Sequence, residues 1–158
     1  MYTVVSSPLI LAYNLSDTAA HDLVWDIITN KEAIQVNQMW HGSPGHQALW
    51  GLGENSAIEV WTKPLGHGRL AAVLLNTANS GDINATVSVS VPLSKFNITG
   101  TVGVRDVWAK RDLADATGSF TTEIGHHACA FVVFVPKGAQ WPEPFELAAW
   151  MKTKPTAG

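Results

Sequence analysis

From residue 46 to residue 135 the chain is a succession of short runs in which apolar and polar residues alternate, each ending in turn-forming residues. Alternation of period two sends successive side chains to opposite faces of a strand, so this region is restricted to sheets with one buried face. The runs at 46–52, 56–63, 69–76, 83–91, 100–108, 119–124 and 128–135 are predicted as strands. "PLGHG" and "NTANSGD" supply hairpin connections, because Gly, Asn and Asp accept the backbone angles of tight turns. Short strands at such regular spacing indicate an antiparallel β-sandwich, and "HGSPG" at 41–45 divides it from what precedes.

The first 44 residues follow a different rule. "VVSSPLILA" (4–12) is apolar without alternation, the pattern of a strand covered on both faces. It reads as a buried strand and not as a signal peptide, since no basic residue precedes the apolar run and Pro8 splits it. Ser16 or Asp17 can cap a helix in which Ala20, Leu23, Val24, Ile27 and Ile28 form one apolar stripe. Asn30 can cap a second, shorter helix over 31–35, with Ile34 and Val36 packing between helix and sandwich. A strand followed by a helix is a β/α unit, yet a parallel strand needs a parallel neighbour, and none follows. At the other end, the tail from Lys137 holds three prolines and two tryptophans, and "PFELAAWMK" predicts a turn or two of amphipathic helix.

With 158 residues, 46% of them hydrophobic and 15% charged, the chain is long and apolar enough for one domain with a proper core. The net charge of −3 and the scattering of the ten Lys and Arg leave no footprint for nucleic acid or an anionic membrane. No apolar run reaches the roughly 18 to 20 residues that a membrane helix needs. The single cysteine, Cys129, excludes an internal disulfide, and its apolar neighbours predict a buried, inert thiol. Asn14, Asn84 and Asn97 begin glycosylation triplets; Asn84 and Asn97 are the candidates, because Asn14 adjoins the expected buried strand.

Glycoside hydrolysis needs two carboxylates facing one sugar, about 5 Å apart in the retaining type. Of the 13 acidic residues, Asp17, Asp22 and Asp26 fall on the first helix, Glu54 and Asp82 in turns, and Asp106 and Asp112 beside a strand end. Those are capping and solvated positions, and no pair is singled out. His41, His46, His67, His126 and His127 lack metal spacing, since adjacent histidines on a strand would point to opposite faces. Ser6-Ser7 lacks the glycine-flanked setting of a hydrolase nucleophile, and no phosphate-cradling glycine loop occurs. Seven tryptophans are many for this length; Trp50, Trp61 and Trp108 fall on predicted strands and read as core or half-core residues.

Five segments match one family in order and spacing. "SSPLILAYNLSDTAAHDLVWDIITNKEAIQVNQ" (6–38), "IEVWTKPL" (58–65), "GRLAAVLLNTAN" (68–79), "VRDVWAKRDL" (104–113) and "IGHHACAFVVFV" (124–135) resemble the C-terminal portion of glycoside hydrolase family 27, the α-galactosidases and their relatives. His127 falls on the family's histidine in the last of these. The resemblance implies a mainly β chain: a C-terminal antiparallel β-sandwich preceded by the last β/α unit of an incomplete (β/α)8 barrel. Residues 1–44 would be the last strand and helix of that barrel, 45–136 the sandwich and 137–158 a tail. The family's catalytic aspartates lie on earlier strands, and the Tyr-x-Lys-x-Asp-x-Cys setting of its nucleophile is absent here. No catalytic residue is therefore assigned, substrate-binding residues stay unassigned, and neither metal nor cofactor is implied. Tyr13-Asn14 and Met39 depart from the family pattern where carboxylates are usual, leaving α-galactoside, α-N-acetylgalactosaminide and β-L-arabinopyranoside open as the parent substrate.

The expected function is that of an α-galactosidase-like C-terminal fragment without turnover by itself, its carbohydrate partner reached through the full-length enzyme. A secreted, lysosomal or vacuolar setting goes with that expectation. Two other classes stand beside it. One is a carbohydrate-binding sandwich module, motivated by the tryptophans. The other is an interaction domain whose bared barrel face recruits a partner or a second copy, giving a homo-oligomer.

Overall fold

The computed structural model describes residues 1–12, 14, 16–53, 57–78 and 86–142. Two helices, α1 (Thr18–Ile28) and α2 (Lys31–Gln38), precede β1 (His46–Leu52), β2 (Ile58–Gly66), β3 (Arg69–Asn76), β4 (Thr86–Pro92), β5 (Val102–Asp106), β6 (Arg111–Ala116), β7 (Ser119–Gly125) and β8 (Cys129–Pro136). Six strands form one antiparallel sheet in the order β1-β2-β3-β8-β5-β6, and β4 pairs with β7 in a second. Both are antiparallel throughout, as hairpin-joined alternating strands require.

Alternation along β2 and its neighbours divides the large sheet between two cores. Ile58 and Val60 pack with Leu74, Val89, Val91, Phe120, Val132 and Phe134 in the space between the sheets. Phe134 sits at its centre, with the Phe96 ring 6.4 Å away and Phe120 edge-on at 5.5 Å. The intervening residues face the other way. Trp61 registers with Val73 and Val73 with Phe131, and Lys63 registers with Ala71 and Ala71 with Val133. Those apolar side chains form a second core against Val36 of α2, Val4 and Trp141.

The two helices begin where short polar side chains can satisfy free amides. Asp17 accepts from Ala20 N at 3.1 Å, and Asn30 accepts from Glu32 N and Ala33 N. The second helix runs to Gln38, three residues beyond the sequence expectation, because Val36 is drawn into the second core. Ile34 is only half-buried.

Three sequence expectations need correction. Residues 4–12 are not a strand: residues 2–6 make turns, with Val4 N bonded to Met1 O and Ser7 N to Tyr2 O, and 7–12 have no regular structure. The cause is the missing partner, for no strand among the described residues lies alongside to pair with it. Val4 alone is wholly buried, while Leu9, Ile10 and Leu11 are exposed. Gly45 N donates to Val4 O at 3.0 Å, and a Cβ on Gly45 would lie 2.4 Å from that oxygen, so only glycine lets the segment dock there.

Second, α1 buries little of its apolar stripe: none of its residues is buried, Leu23 and Ile27 are exposed, and Ala20, Val24 and Ile28 are half-buried. Third, Arg111–Ala116 is a strand that alternation did not indicate. As the sheet's outer strand it pairs only with β5, so "RDLADA" needs few apolar residues to hold its place. The expected helix in "PFELAAWMK" lies outside the described residues.

Candidate functional site

The densest buried chemistry is a polar junction between α2 and the sandwich. Asn30, 1% exposed, caps α2 with its oxygen while its amide donates to Val107 O at 2.9 Å, just beyond the end of β5. Glu32, in the first turn, accepts from Arg105 of β5 through both oxygens, Nη2 to Oε1 at 2.7 Å and Nε to Oε2 at 3.1 Å. Trp141 Nε1 adds a third donor to Glu32 Oε2 at 3.2 Å. Arg105 also reaches Asp112 Oδ1 on β6 at 3.2 Å. Hydrogen bonding to Glu32 holds the guanidinium above its already high ordinary value.

At the far end of α2, Lys63 of β2 is wholly buried and donates from Nζ to Val36 O at 2.5 Å and Asn37 O at 3.0 Å. Those carbonyls belong to the last turn of the helix, which has no further amides to bond them. Burial pushes the Lys63 ammonium below its ordinary value. The junction is built to bind two layers together: one end of α2 is held by an ion pair, the other by a lysine cap.

Beside it lies an apolar shelf. A groove of about 430 Å³ is lined by Tyr2, Ile10, Ile27, Ile34 and Trp108 among others, and Ile10 is 82% exposed.

The predicted acidic residues are not brought together as a catalytic pair. Asp17 is a helix cap, Asp106 accepts from Ala109 N in the turn after β5, and Asp112 belongs to the arginine pair; Glu54 and Asp82 lie outside the described residues. His126 and His127 sit on a turn, not a strand, with their rings 4.1 Å apart, so the opposite-face argument does not apply to them. No group of three metal-ligating side chains occurs among the described residues. Cys129 is half-buried at the start of β8.

Of the tryptophans, Trp61 is half-buried and bonded to Glu59, but Trp50 is 75% exposed on β1 and Trp108 stands on a turn, edge-on to Phe131. Both correct the core expectation. Asn97 is exposed, in a left-handed conformation closing the 3-10 turn Leu93–Phe96, and Asn84 lies outside the described residues. Asn14 is exposed too, contrary to the strand argument used against it.

Sequence reasoning missed Glu32, Lys63, Arg105 and Trp141. On β2, Glu59 and Lys63 stand on the face opposite Ile58 and Val60, and their charges by themselves point to solvent; only the layer of α2 above makes that face interior.

Comparison with known proteins follows this architecture. Residues 55–134 match the family described as the α-galactosidase C-terminal β-sandwich domain. The chain is 30% identical over 138 residues to α-galactosidase 3 of Arabidopsis thaliana, covering 87% of this chain and 30% of that protein. It is 28% identical to an α-galactosidase of Cyamopsis tetragonoloba, covering 87% and 31%. Among solved structures, a family 27 β-L-arabinopyranosidase of Geobacillus stearothermophilus superposes with a TM-score of 0.72 at 25% identity, over 88% of this chain and 29% of that one. The chain thus spans about a third of the length of the relatives it matches. With its two antiparallel sheets and the match over residues 55–134, the chain belongs to the α-galactosidase C-terminal β-sandwich domain family.

Proposed function

We propose that the chain acts as the carboxy-terminal brace of an α-galactosidase-type glycoside hydrolase that cleaves terminal α-galactosides. In this reading residues 1–44 complete a barrel, 45–136 form the sandwich behind it and 137–158 are a tail. The hydrolytic carboxylates belong to sequence outside these 158 residues. The observation that carries the reading is the pairing of a family 27-like sandwich with an apolar shelf on its amino-terminal side. A shelf of that kind gains most by burial against further protein, and the junction through Glu32, Arg105 and Lys63 holds α2 rigidly enough to transmit that support.

The test has two arms. The purified 158-residue chain is expected to show no turnover of an aryl α-galactoside. A chimera in which it replaces the corresponding part of the Arabidopsis relative is expected to hydrolyse that substrate. Turnover that copurifies with the chain alone would overturn the reading, as would a folded but inactive chimera. A secreted or vacuolar setting is part of the proposal: Asn97 offers its triplet at an exposed turn, and a glycosidase-sensitive mass shift in a eukaryotic host would report its use. Left uncovered, the shelf is expected to drive self-association that light scattering would detect.

A further inference from the structure

The apolar shelf has a candidate occupant in the chain itself. Tyr2, Leu9, Ile10, Leu11 and Ile27 stand exposed along one groove, with Trp108 beside them. A contiguous apolar surface of this kind gains by being covered with protein. The described chain ends next to it. Trp141 is 8% exposed, packs in the second core with Ala33, and donates from Nε1 to Glu32 Oε2 at 3.2 Å. Glu32 directly precedes Ala33 and Ile34, which line the shelf. Residues 143–158 therefore leave the sandwich from the rim of the groove.

The sequence that leaves there suits what it meets. "FELAAWM" (145–151) has a single charged residue, and Leu147, Trp150 and Met151 recur at i, i+3 and i+4, the spacing of one helical face. Glu143, placed before Pro144, favours extended backbone, and three extended residues cover about 10 Å, so the apolar run begins within reach of the groove. Charge agrees with this course. The first helix carries Asp22 and Asp26 close to Ile27 and has neither lysine nor arginine, whereas Lys152 and Lys154 follow the apolar run. Tethering decides between occupants: a segment joined by a short linker acts at an effective concentration on the order of millimolar, above that of a second copy in dilute solution.

We propose that residues 143–158 fold back over the shelf, seating Leu147, Trp150 and Met151 against Ile10, Ile27 and Ile34, with Lys152 and Lys154 beside Asp22 and Asp26. The tail is then a built-in cover that keeps the chain monomeric while no barrel occupies that face. The shelf is left uncovered, and open to self-association, only when this cover is lifted. The proposal goes beyond the brace function and does not rest on it, since it concerns the 158-residue chain by itself.

Methyl NMR on the full chain tests it. Nuclear Overhauser contacts from Leu147, Trp150 and Met151 to Ile10, Ile27 and Ile34 are expected. In a mixture of labelled and unlabelled chains, isotope filtering separates contacts within one chain from contacts between two, and only the first kind is expected. Contacts solely between chains would put a second copy on the shelf and overturn the proposal, as would a folded chain without contacts from tail to shelf. Leu147→Ser combined with Trp150→Ser changes no residue of the two cores, so the sandwich is expected to keep its melting temperature. Trypsin is expected to cut after Lys152 about tenfold faster in this variant, because cleavage follows the open population. Ile10→Ser, at an 82% exposed position, leaves the cleavage sequence intact and is expected to speed the same cut. Unaltered cleavage in either folded variant would overturn the proposal. In the chimera a barrel holds the shelf, so hydrolysis is expected with or without the tail substitutions, and the two readings fail separately.

Discussion

Replacing Lys63 by Met tests how α2 is fastened to the sandwich. Met fills nearly the same volume and keeps the apolar stem, so the change removes the ammonium with little cavity. Val36 O and Asn37 O, bonded by Nζ at 2.5 and 3.0 Å, then lose their donor inside the second core. Each buried carbonyl left unpaired costs about 1–3 kcal/mol. Against this stands the relief of no longer burying a charge, which in other proteins has made such swaps neutral or favourable. Two carbonyls against one partly offset charge gives a net loss of about 2 kcal/mol, or about 4–8 °C in melting temperature for a chain of this length. Thermal denaturation reads the total, and hydrogen exchange should show the loss concentrated in α2.

The pH dependence supplies an independent check. Burial lowers the Lys63 value in the folded chain below its ordinary 10.5, so the unfolded state holds this proton more tightly. Between the lowered value and 10.5 the unfolded chain binds more protons than the folded one, and wild-type stability gains on Lys63→Met as pH rises. That gain is lost as pH falls again through the window. A variant equal to wild type in stability, with undiminished protection in α2, would refute the reasoning.

Arg105→Met strands the nearly buried Glu32 carboxylate and is expected to cost about 3–5 kcal/mol in urea denaturation, with Glu32→Gln added to it restoring part of the loss. Asn30→Ala removes both the cap of α2 and the bond to Val107 O; a loss of about 2 kcal/mol is expected, seen as reduced helix signal in far-ultraviolet circular dichroism before the sheet melts. Gly45→Ala drives a methyl group into Val4 O, so residues 1–12 should detach and be cut faster in limited proteolysis while β1–β8 stay intact.

Local pattern sufficed wherever the local environment decided the outcome. The bounds of β1 and β3 and the caps at Asp17 and Asn30 follow from short apolar runs, the turn residues that flank them and a single side-chain oxygen, all within a few positions. It failed where pairing decided. Residues 4–12 have the composition of a buried strand, but composition does not supply the neighbour that completes a ladder. Arg111–Ala116 shows the converse, a polar segment made a strand by β5 beside it. The junction was illegible for a related reason: Glu32 and Arg105 are 73 positions apart, and neither is unusual in its own surroundings. Only the fold brings them to 2.7 Å.

Because neighbouring residues of β2 serve opposite cores, the large sheet is one wall shared by two rooms. Sliding β2 by a single position against β3 would exchange its two sets of side chains and carry Lys63 into the space between the sheets. No helix end waits there to receive its ammonium, and an unpartnered buried charge costs far more than a misplaced methyl group. The lysine therefore works as a register pin. Through it, a helix that precedes the sandwich in the chain proofreads how the strands behind it are threaded.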